Sequence, residues 1–373
     1  MLSLALRLIA YEPVRYLVAL LGISVAAGLA LIQLGLYRGF RENASVVVDH
    51  SEGEVWVCAE FHRNFDFPRP LNETHLAKVR ATPGVAWAAP MLIVFGHWKL
   101  AEGSTQTVEV VGFDAAQRVG GPWRMKSGLP EDLAPPACVS VDVTAAGQLP
   151  EVGLGSEAEV NGIRVKVTAI TEEIRSFQGN PIVFANLDTA RAIGRLDSDA
   201  IHYAIAGLAP GAEASAVLPR LTSIEHVEAY TRRDFSLKAQ MYWLRSTGAG
   251  MALAFAAFMG LLVGVVVAGQ VLYTSTLEHL REWGTLKAIG ATNSQVTLAI
   301  VAQAISWALP AHAIAGGLLW VSMQVISGKG LRPSLDFHSY LVLGLLTVCV
   351  CVLASLLSVV RVMRLEPADV FKA

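Results

Sequence analysis

Four long stretches of this chain lack Asp, Glu, Lys and Arg altogether: 16–36, 246–273, 288–327 and 339–360. About 20 consecutive apolar residues suffice to cross the hydrocarbon of a bilayer, so these stretches read as membrane spans. The first is longer than the roughly 7–15 apolar residues of a secretory signal, which favours a retained anchor over a cleaved leader. The third is nearly twice as long as the first and opens with the polar run Ala-Thr-Asn-Ser-Gln. It reads as one span over 296–326, kinked near Pro310. The alternative is two spans with almost no turn between them, which would put the C-terminus on the other side.

The charges lie elsewhere. Residues 38–245 hold 20 Lys/Arg and 25 Asp/Glu, whereas the remainder of the chain holds only 9 and 6. The first density is close to the roughly 25% of soluble domains and the second is far below it. The expected fold class is therefore an α-helical membrane protein with four transmembrane helices and a large α/β extracytoplasmic domain inserted between helices 1 and 2. The segments are 1–37, 38–245, 246–273, 274–295, 296–326, 327–339, 340–360 and 361–373. An insert that is slightly acidic gives no reason to expect a nucleic-acid partner.

Orientation follows from basic residues near short loops. Arg7, Arg15, Arg281, Lys287, Arg361, Arg364 and Lys372 fall on one side, and Lys329 and Arg332 on the other. Both termini are thus expected in the cytoplasm and the insert outside. Membrane lipid surrounds the spans.

Within the insert, residues 54–59 alternate like a strand, and 72–79 form a short helix stopped by Thr82-Pro83-Gly84. Strands are expected over 91–95, 107–111, 139–143 and 162–170, the last opened by the turn signal Asn161-Gly162. The Gly/Pro-rich stretch 120–136 marks a division into two lobes. Trp56, Trp87, Trp98 and Trp123 form no motif and read as core or lobe contacts rather than a ligand box. Cys58 and Cys138 form a disulfide pair only if the insert is oxidised and the two meet in space.

The joins between insert and spans carry Phe40 and Val47 on one side and Phe235, Met241 and Tyr242 on the other. They read either as helices continuing outward in a stalk, the favoured reading, or as interfacial anchors of the helix ends. Gly260 and Gly264, like Gly35 and Gly39, have the small-xxx-small spacing that permits close helix packing, including that of a dimer. His312, two residues after Pro310, is either functional as an intramembrane ionisable group or bonded to the backbone carbonyl that the proline frees.

The sequence contains no GxxxxGK[ST], GxSxG, HExxH or dinucleotide glycine pattern. Its most distinctive segment lies between the second and third stretches: Glu278-His-Leu-Arg-Glu-Trp-Gly-Thr-Leu-Lys-Ala-Ile-Gly-Ala-Thr292. A short amphipathic helix is expected there, with Leu277, Leu280 and Trp283 or Gly284 on one face and Glu278, Arg281 and Glu282 exposed. Gly290 closes it, and Thr292-Asn293 opens the next helix. It is either a membrane-surface helix or a knob for a cytoplasmic partner.

That segment, the preceding Gln270-Val-Leu-Tyr-Thr and the closing Arg361-Val-Met-Arg-Leu-Glu-Pro-Ala-Asp-Val-Phe371 resemble the FtsX/MacB-type ABC transporter permeases, most closely their DevC-like branch. The layout of one span, an external domain and three further spans is similar to theirs. The resemblance implies a non-catalytic subunit of a bacterial inner-membrane exporter that binds no cofactor itself. ATP and Mg would belong to a separate cytoplasmic ABC ATPase. The implied coupling residues are Leu277, His279, Leu280, Arg281, Glu282, Trp283, Leu286 and Lys287. The implied partners are that ATPase, a second copy of the chain, a periplasmic adaptor and an outer-membrane duct. An FtsX-like regulator of a cell-wall hydrolase is the alternative, and a membrane-anchored enzyme or receptor a more distant one. Gln303 stands where many members carry Glu, which puts any carboxylate role there in doubt.

Overall fold

The computed structural model describes residues 13–150, 152–176, 178–246, 248–278, 280–326 and 333–363. Of the residues singled out above, Arg7, His279, Lys329, Arg332, Arg364 and Lys372 lie outside the described ones. Two compact units emerge, a helical one and an inserted one, Phe40–Ala249, with each packed around its own core.

The helical unit is built from α1 (Pro13–Asn43), with the inserted domain following it, and then from three further long helices. These are α7 (Ala249–Glu278), α9 (Asn293–Ile326) and α10 (Phe337–Met363), with the short α8 (Leu280–Ala288) between the first two. The four long helices are long and apolar enough to cross a membrane. The extended third stretch yields one continuous helix with Pro310 inside it, not two. Pro310 has no N–H to give the Ser306 carbonyl; Tyr16 Oη stands 3.5 Å from that oxygen instead. His312 does not take this role. Its Nε2 lies 3.1 Å from the Tyr340 carbonyl, and Tyr340 Oη donates to the His312 carbonyl at 3.2 Å, a reciprocal tie between α9 and α10.

Gly260 and Gly264 face into the unit. A Cβ on Gly260 would meet Leu29 at 3.4 Å, and one on Gly264 would meet Ala26 at 3.4 Å. The small-residue edge of α7 thus lies against α1. Arg38, near the end of α1, bonds Asp336 and Ser339 at the start of α10.

The inserted domain is organised around a ten-stranded sheet in the order β12-β1-β11-β3-β4-β9-β6-β8-β5. Its strands are β1 (Val55–Ala59), β3 (Val85–Lys99), β4 (Thr105–Phe113), β5 (Met125–Ser127), β6 (Cys138–Asp142), β7 (Glu157–Val160), β8 (Ile163–Thr171), β9 (Ile182–Asn186), β11 (Tyr203–Leu208) and β12 (Val227–Thr231). β7 bridges β3 and β8 off this path, and β2 (Leu71–Asn72) pairs separately with β10 (Ala200–Ile201). Neighbours run antiparallel except β4 with β9 and β6 with β8. The Asn161-Gly162 turn closes the β7–β8 hairpin with both residues at positive φ. The 120–136 stretch carries β5 and a 3-10 turn, and the strands after it return to the same sheet.

Every residue of β1 is buried, and its alternation sorts side chains between two cores. Val55 and Val57 pack with Leu76 and Val79 of α3 (Glu73–Arg80) and with Val217 and Leu221 of α5 (Ala214–Thr222). Trp56 and Cys58 face the other core, with Tyr203 and with Phe235 of α6 (Arg232–Ser246). Asn72 caps α3 by accepting from the His75 N–H, as its position ahead of an apolar run leads one to expect. A further helix, α4 (Leu187–Gly194), follows β9. Trp98 is buried in a third cluster, and Trp123 stacks on His50 and meets Phe184 edge-on. Trp56 and Trp98 are core residues, and Trp87 and Trp123 are partly buried against the core that holds Trp56. Cys58 and Cys138 are free thiols on β1 and β6, five strand spacings apart, which is about 24 Å in a flat sheet. That excludes the pairing within one chain.

The helix of the first span does continue outward: α1 carries Phe40 and ends at Asn43, and a separate turn, α2 (Val46–Asp49), carries Val47. α6 ends at Ser246, and Gly248 at φ +69° breaks the path before α7.

A large side chain at Gly264 would overpack α1. Gly264→Ile should lower the thermal midpoint of the detergent-purified protein, by about 1–3 kcal/mol of stability. An unchanged midpoint in the monomeric fraction would contradict the internal role of this edge.

Candidate functional site

The turn between α7 and α9 is fixed at its α9 end by capping chemistry that the sequence specifies. At the end of α8, the Ala291 N–H reaches the Leu286 carbonyl at 2.9 Å and the Gly290 N–H reaches the Lys287 carbonyl at 3.0 Å. Gly290 stands at φ +105°, a conformation that costs glycine little and other residues much. This is a Schellman closure, with Leu286 and Ala291 in the same apolar cluster. Two residues on, Thr292 and Gln295 form a capping box: the Gln295 N–H donates to Thr292 Oγ1, and the Thr292 N–H to Gln295 Oε1.

Trp283 fixes the body of α8. It is 2% exposed and packs with Val296, Ala299 and Ile300 of α9 and Val359 of α10, with Leu286 against the same cluster. Trp283 and Leu286 therefore face inward. The outward face consists of Arg281, Glu282, Thr285, Ala288 and Ile289, and Ile289 is 80% exposed. Thr285 Oγ1 bonds back to the Arg281 carbonyl. Leu277 is half-buried at the end of α7, Lys287 is half-buried, and the side chain of Leu280 lies outside the described set. Thr285 and Ile289 are the residues that reading for apolar positions passes over. The i, i+4, i+8 spacing of 281, 285 and 289 is the signal that marks them as one face.

The joins do not make a second site. Phe235 is buried and stacks on Trp56 at 5.2 Å and on His62 at 5.4 Å. Gln240 of α6 donates to Ser45 at 2.8 Å, beside α2, so the chain enters and leaves the inserted domain along paired segments. Phe40 is buried near the end of α1, while Met241 is exposed and Tyr242 half-buried. Gln303 is buried in α9.

The inserted domain holds a buried acid pair. Burial first, and then the charge of Asp66, raise the Glu109 carboxyl to about 8, against the lowering effect of a Ser176 hydrogen bond. Burial raises Asp66 to about 6, opposed by hydrogen bonds from Trp243 at 2.6 Å and Asn64 at 2.8 Å. His62, buried in the same domain, is pushed down to about 4. Among the described residues no group of three or more His, Cys, Asp or Glu is placed to hold a metal ion.

Comparisons with known proteins match both units. The FtsX-like permease C-terminal family matches residues 254–367, and the MacB-like periplasmic core domain matches residues 16–224. An uncharacterized ABC transporter permease of Mycobacterium tuberculosis is 25% identical over 381 residues, covering 100% of this chain and 99% of that protein. One from Mycobacterium bovis is 24% identical over 374 residues, with the same coverage. Among solved structures, the periplasmic region of MacB from Actinobacillus actinomycetemcomitans aligns with TM-score 0.40 at 10% identity, over 50% of this chain and 92% of that one.

Trp283→Ala should empty the pocket that holds α8 and cost about 3–5 kcal/mol, lowering the thermal midpoint before any partner is added. For Glu109, the folded pKa lies above the unfolded one. Between about 4.5 and about 8 the unfolded chain has released a proton that the folded state keeps, so stability falls as pH rises through that window. Glu109→Gln should flatten that fall and raise the unfolding midpoint at pH 8 relative to the parent; equal pH profiles would rule out this assignment.

Proposed function

Because the chain belongs to the MacB-like and FtsX-like ABC transporter permeases, a family of multi-pass membrane proteins that work with an ATPase, we propose that it is the membrane subunit of an exporter driven by a separate cytoplasmic ATPase. The observation that carries this is the α8 turn. A nine-residue helix, bound by Trp283 to α9 and α10, presents Arg281, Glu282, Thr285 and an exposed Ile289 on one side. A bulky apolar side chain held out by a rigid, charged turn suits a groove on a protein partner.

The basic residues around this turn support its location on the cytoplasmic side, with both termini there and the inserted domain outside. ATP and Mg belong to the partner, in keeping with the lack of a nucleotide-binding motif in this sequence. Movement imposed on α8 passes through Trp283 to α9 and α10. On the far side, the Gln240–Ser45 bond and the Phe235 stack couple both chain entries to the core of the inserted domain. A shift of these entries then displaces that domain as a body, despite the helix breaks. Assembly as a dimer with a periplasmic adaptor and outer-membrane duct in the bacterial inner membrane completes the proposal. The match of residues 254–367 to FtsX-like permeases keeps a second reading open, a regulator that moves a cell-wall hydrolase instead of a cargo.

Ile289→Asp should leave the fold intact, since the side chain is exposed, yet lower co-purification with the ATPase at least tenfold and abolish stimulation of its turnover. Normal assembly by this variant would refute the docking face. Co-purification of an adaptor favours the exporter, and that of a hydrolase the regulator.

A further inference from the structure

One edge of the inserted domain carries a surface unlike the rest. The segment 60–70, which follows β1, alternates sharply: His62, Asn64, Phe65 and Asp66 are buried, whereas Phe61, Arg63, Phe67 and Arg69 face out. Phe61 is 71% exposed and Phe67 49%. Phe61 also stands at φ +60°, a strained position for a bulky residue. The surroundings hold it there. Its N–H donates to one Glu228 oxygen at 2.9 Å, while the other oxygen takes the Tyr230 hydroxyl at 2.6 Å and Lys238 Nζ of α6 at 3.2 Å. An apolar ring is thus braced outward where burial would ordinarily be preferred.

α6 extends the same surface. Phe67 packs against Tyr242 at 6.3 Å and Trp243 at 5.7 Å, and the Trp243 indole N–H is fixed by Asp66. Leu237, Met241 and Arg245 stand exposed at i, i+4, i+8 along the helix. Two acids of this edge, Glu60 and Glu225, lie beside His226. Arg63, Arg69 and Arg245, three basic residues, face out from it. Trp243 precedes the first residue of α7 by only six positions, and the apolar stretch Gly250–Val271 follows directly.

We infer that this edge, led by Phe61 and Phe67 and flanked by Arg63, Arg69 and Arg245, is a lipid-binding surface that seats the inserted domain in the headgroup layer of the membrane. The chemistry of the edge suits a membrane interface: exposed phenylalanine rings, apolar side chains and arginines for phosphate, a few residues in sequence before an apolar stretch. Arginine favours anionic lipid. Closeness in sequence favours lipid over a soluble partner, because Arg245 precedes the apolar stretch Gly250–Val271 by only five residues.

The test uses the full chain in nanodiscs. Cys138 and Cys349 are replaced by Ser, and an environment-sensitive NBD label is placed through Phe61→Cys, or in a second variant through Phe67→Cys. The control is Ser215→Cys, exposed at the start of α5. That helix follows the Leu208 end of β11, which lies beside the Val55 end of β1 rather than the Ala59 end that leads to Phe61. Both Phe positions are exposed, so neither label removes a core contact. The expected result is a blue shift at 61 and 67 on transfer from detergent to nanodiscs, with loss of intensity when the lipids are brominated near the headgroup. The control should show neither. Quenching should weaken when phosphatidylglycerol is replaced by phosphatidylcholine; equal quenching in both would overturn the part assigned to the arginines. Emission at 61 and 67 that remains as water-exposed as at 215 would overturn the proposal. A blue shift without lipid quenching would overturn it as well, by showing a protein surface there. None of these readouts involves the ATPase.

Discussion

A helix as short as α8 cannot hold its shape in water, because nucleation costs more than so few hydrogen bonds return. α8 depends on the burial of Trp283. With the indole set among Val296, Ala299, Ile300 and Val359, the turn becomes part of the body of α9 and α10. Gly290 and the Thr292–Gln295 capping box then fix its passage into α9. The stiffness of α8 comes from a side chain turned inward, away from its exposed face.

The same division between holding and presenting recurs in the inserted domain. Phe235 stacks on Trp56 and His62 and keeps α6 on the sheet, while the residues on the other side of α6 stay at the surface. Glu228 carries three hydrogen bonds to keep one exposed phenylalanine turned out. The cost of the buried Glu109–Asp66 pair is of a different kind. A domain that buries two interacting acids gives up stability at neutral pH and above, and retains it only because the strands around them are covered on both faces.

The spans, the strand positions and the Asn161-Gly162 hairpin are legible in the sequence because each rests on a local rule: run length, alternation, turn chemistry. The passage from α8 into α9 is legible for the same reason, through Gly290 and Thr292. Which way a face points is not a local property. The sequence groups Trp283 with the docking residues because an amphipathic helix shows its apolar side but not what covers it. It passes over Ile289 because a lone isoleucine next to glycine reads as the inner end of a helix. The stalk reads as continuous because neither a proline nor a run of glycines interrupts the joins; α1 carries it only as far as Asn43, and Gly248 breaks the second join through its φ. The edge formed by Phe61 and Phe67 comes together only in three dimensions, since its other half, α6, lies far along the chain at Arg232–Ser246.

The two edges of α7 show why spacing alone misleads in a membrane. Its glycines at 260 and 264 lie against Leu29 and Ala26 of α1, where small size lets two backbones approach. The large side chains Met251, Phe255, Phe258, Leu262 and Val266 stand exposed instead. In water that second face would be the sticky one. In lipid it is at no disadvantage, because acyl chains solvate it as well as another helix would, and the van der Waals fit of the glycine edge is what contributes to association. A small-residue motif in such a helix therefore reports that some helix packs closely, and the nearest candidate in the chain is its own first span.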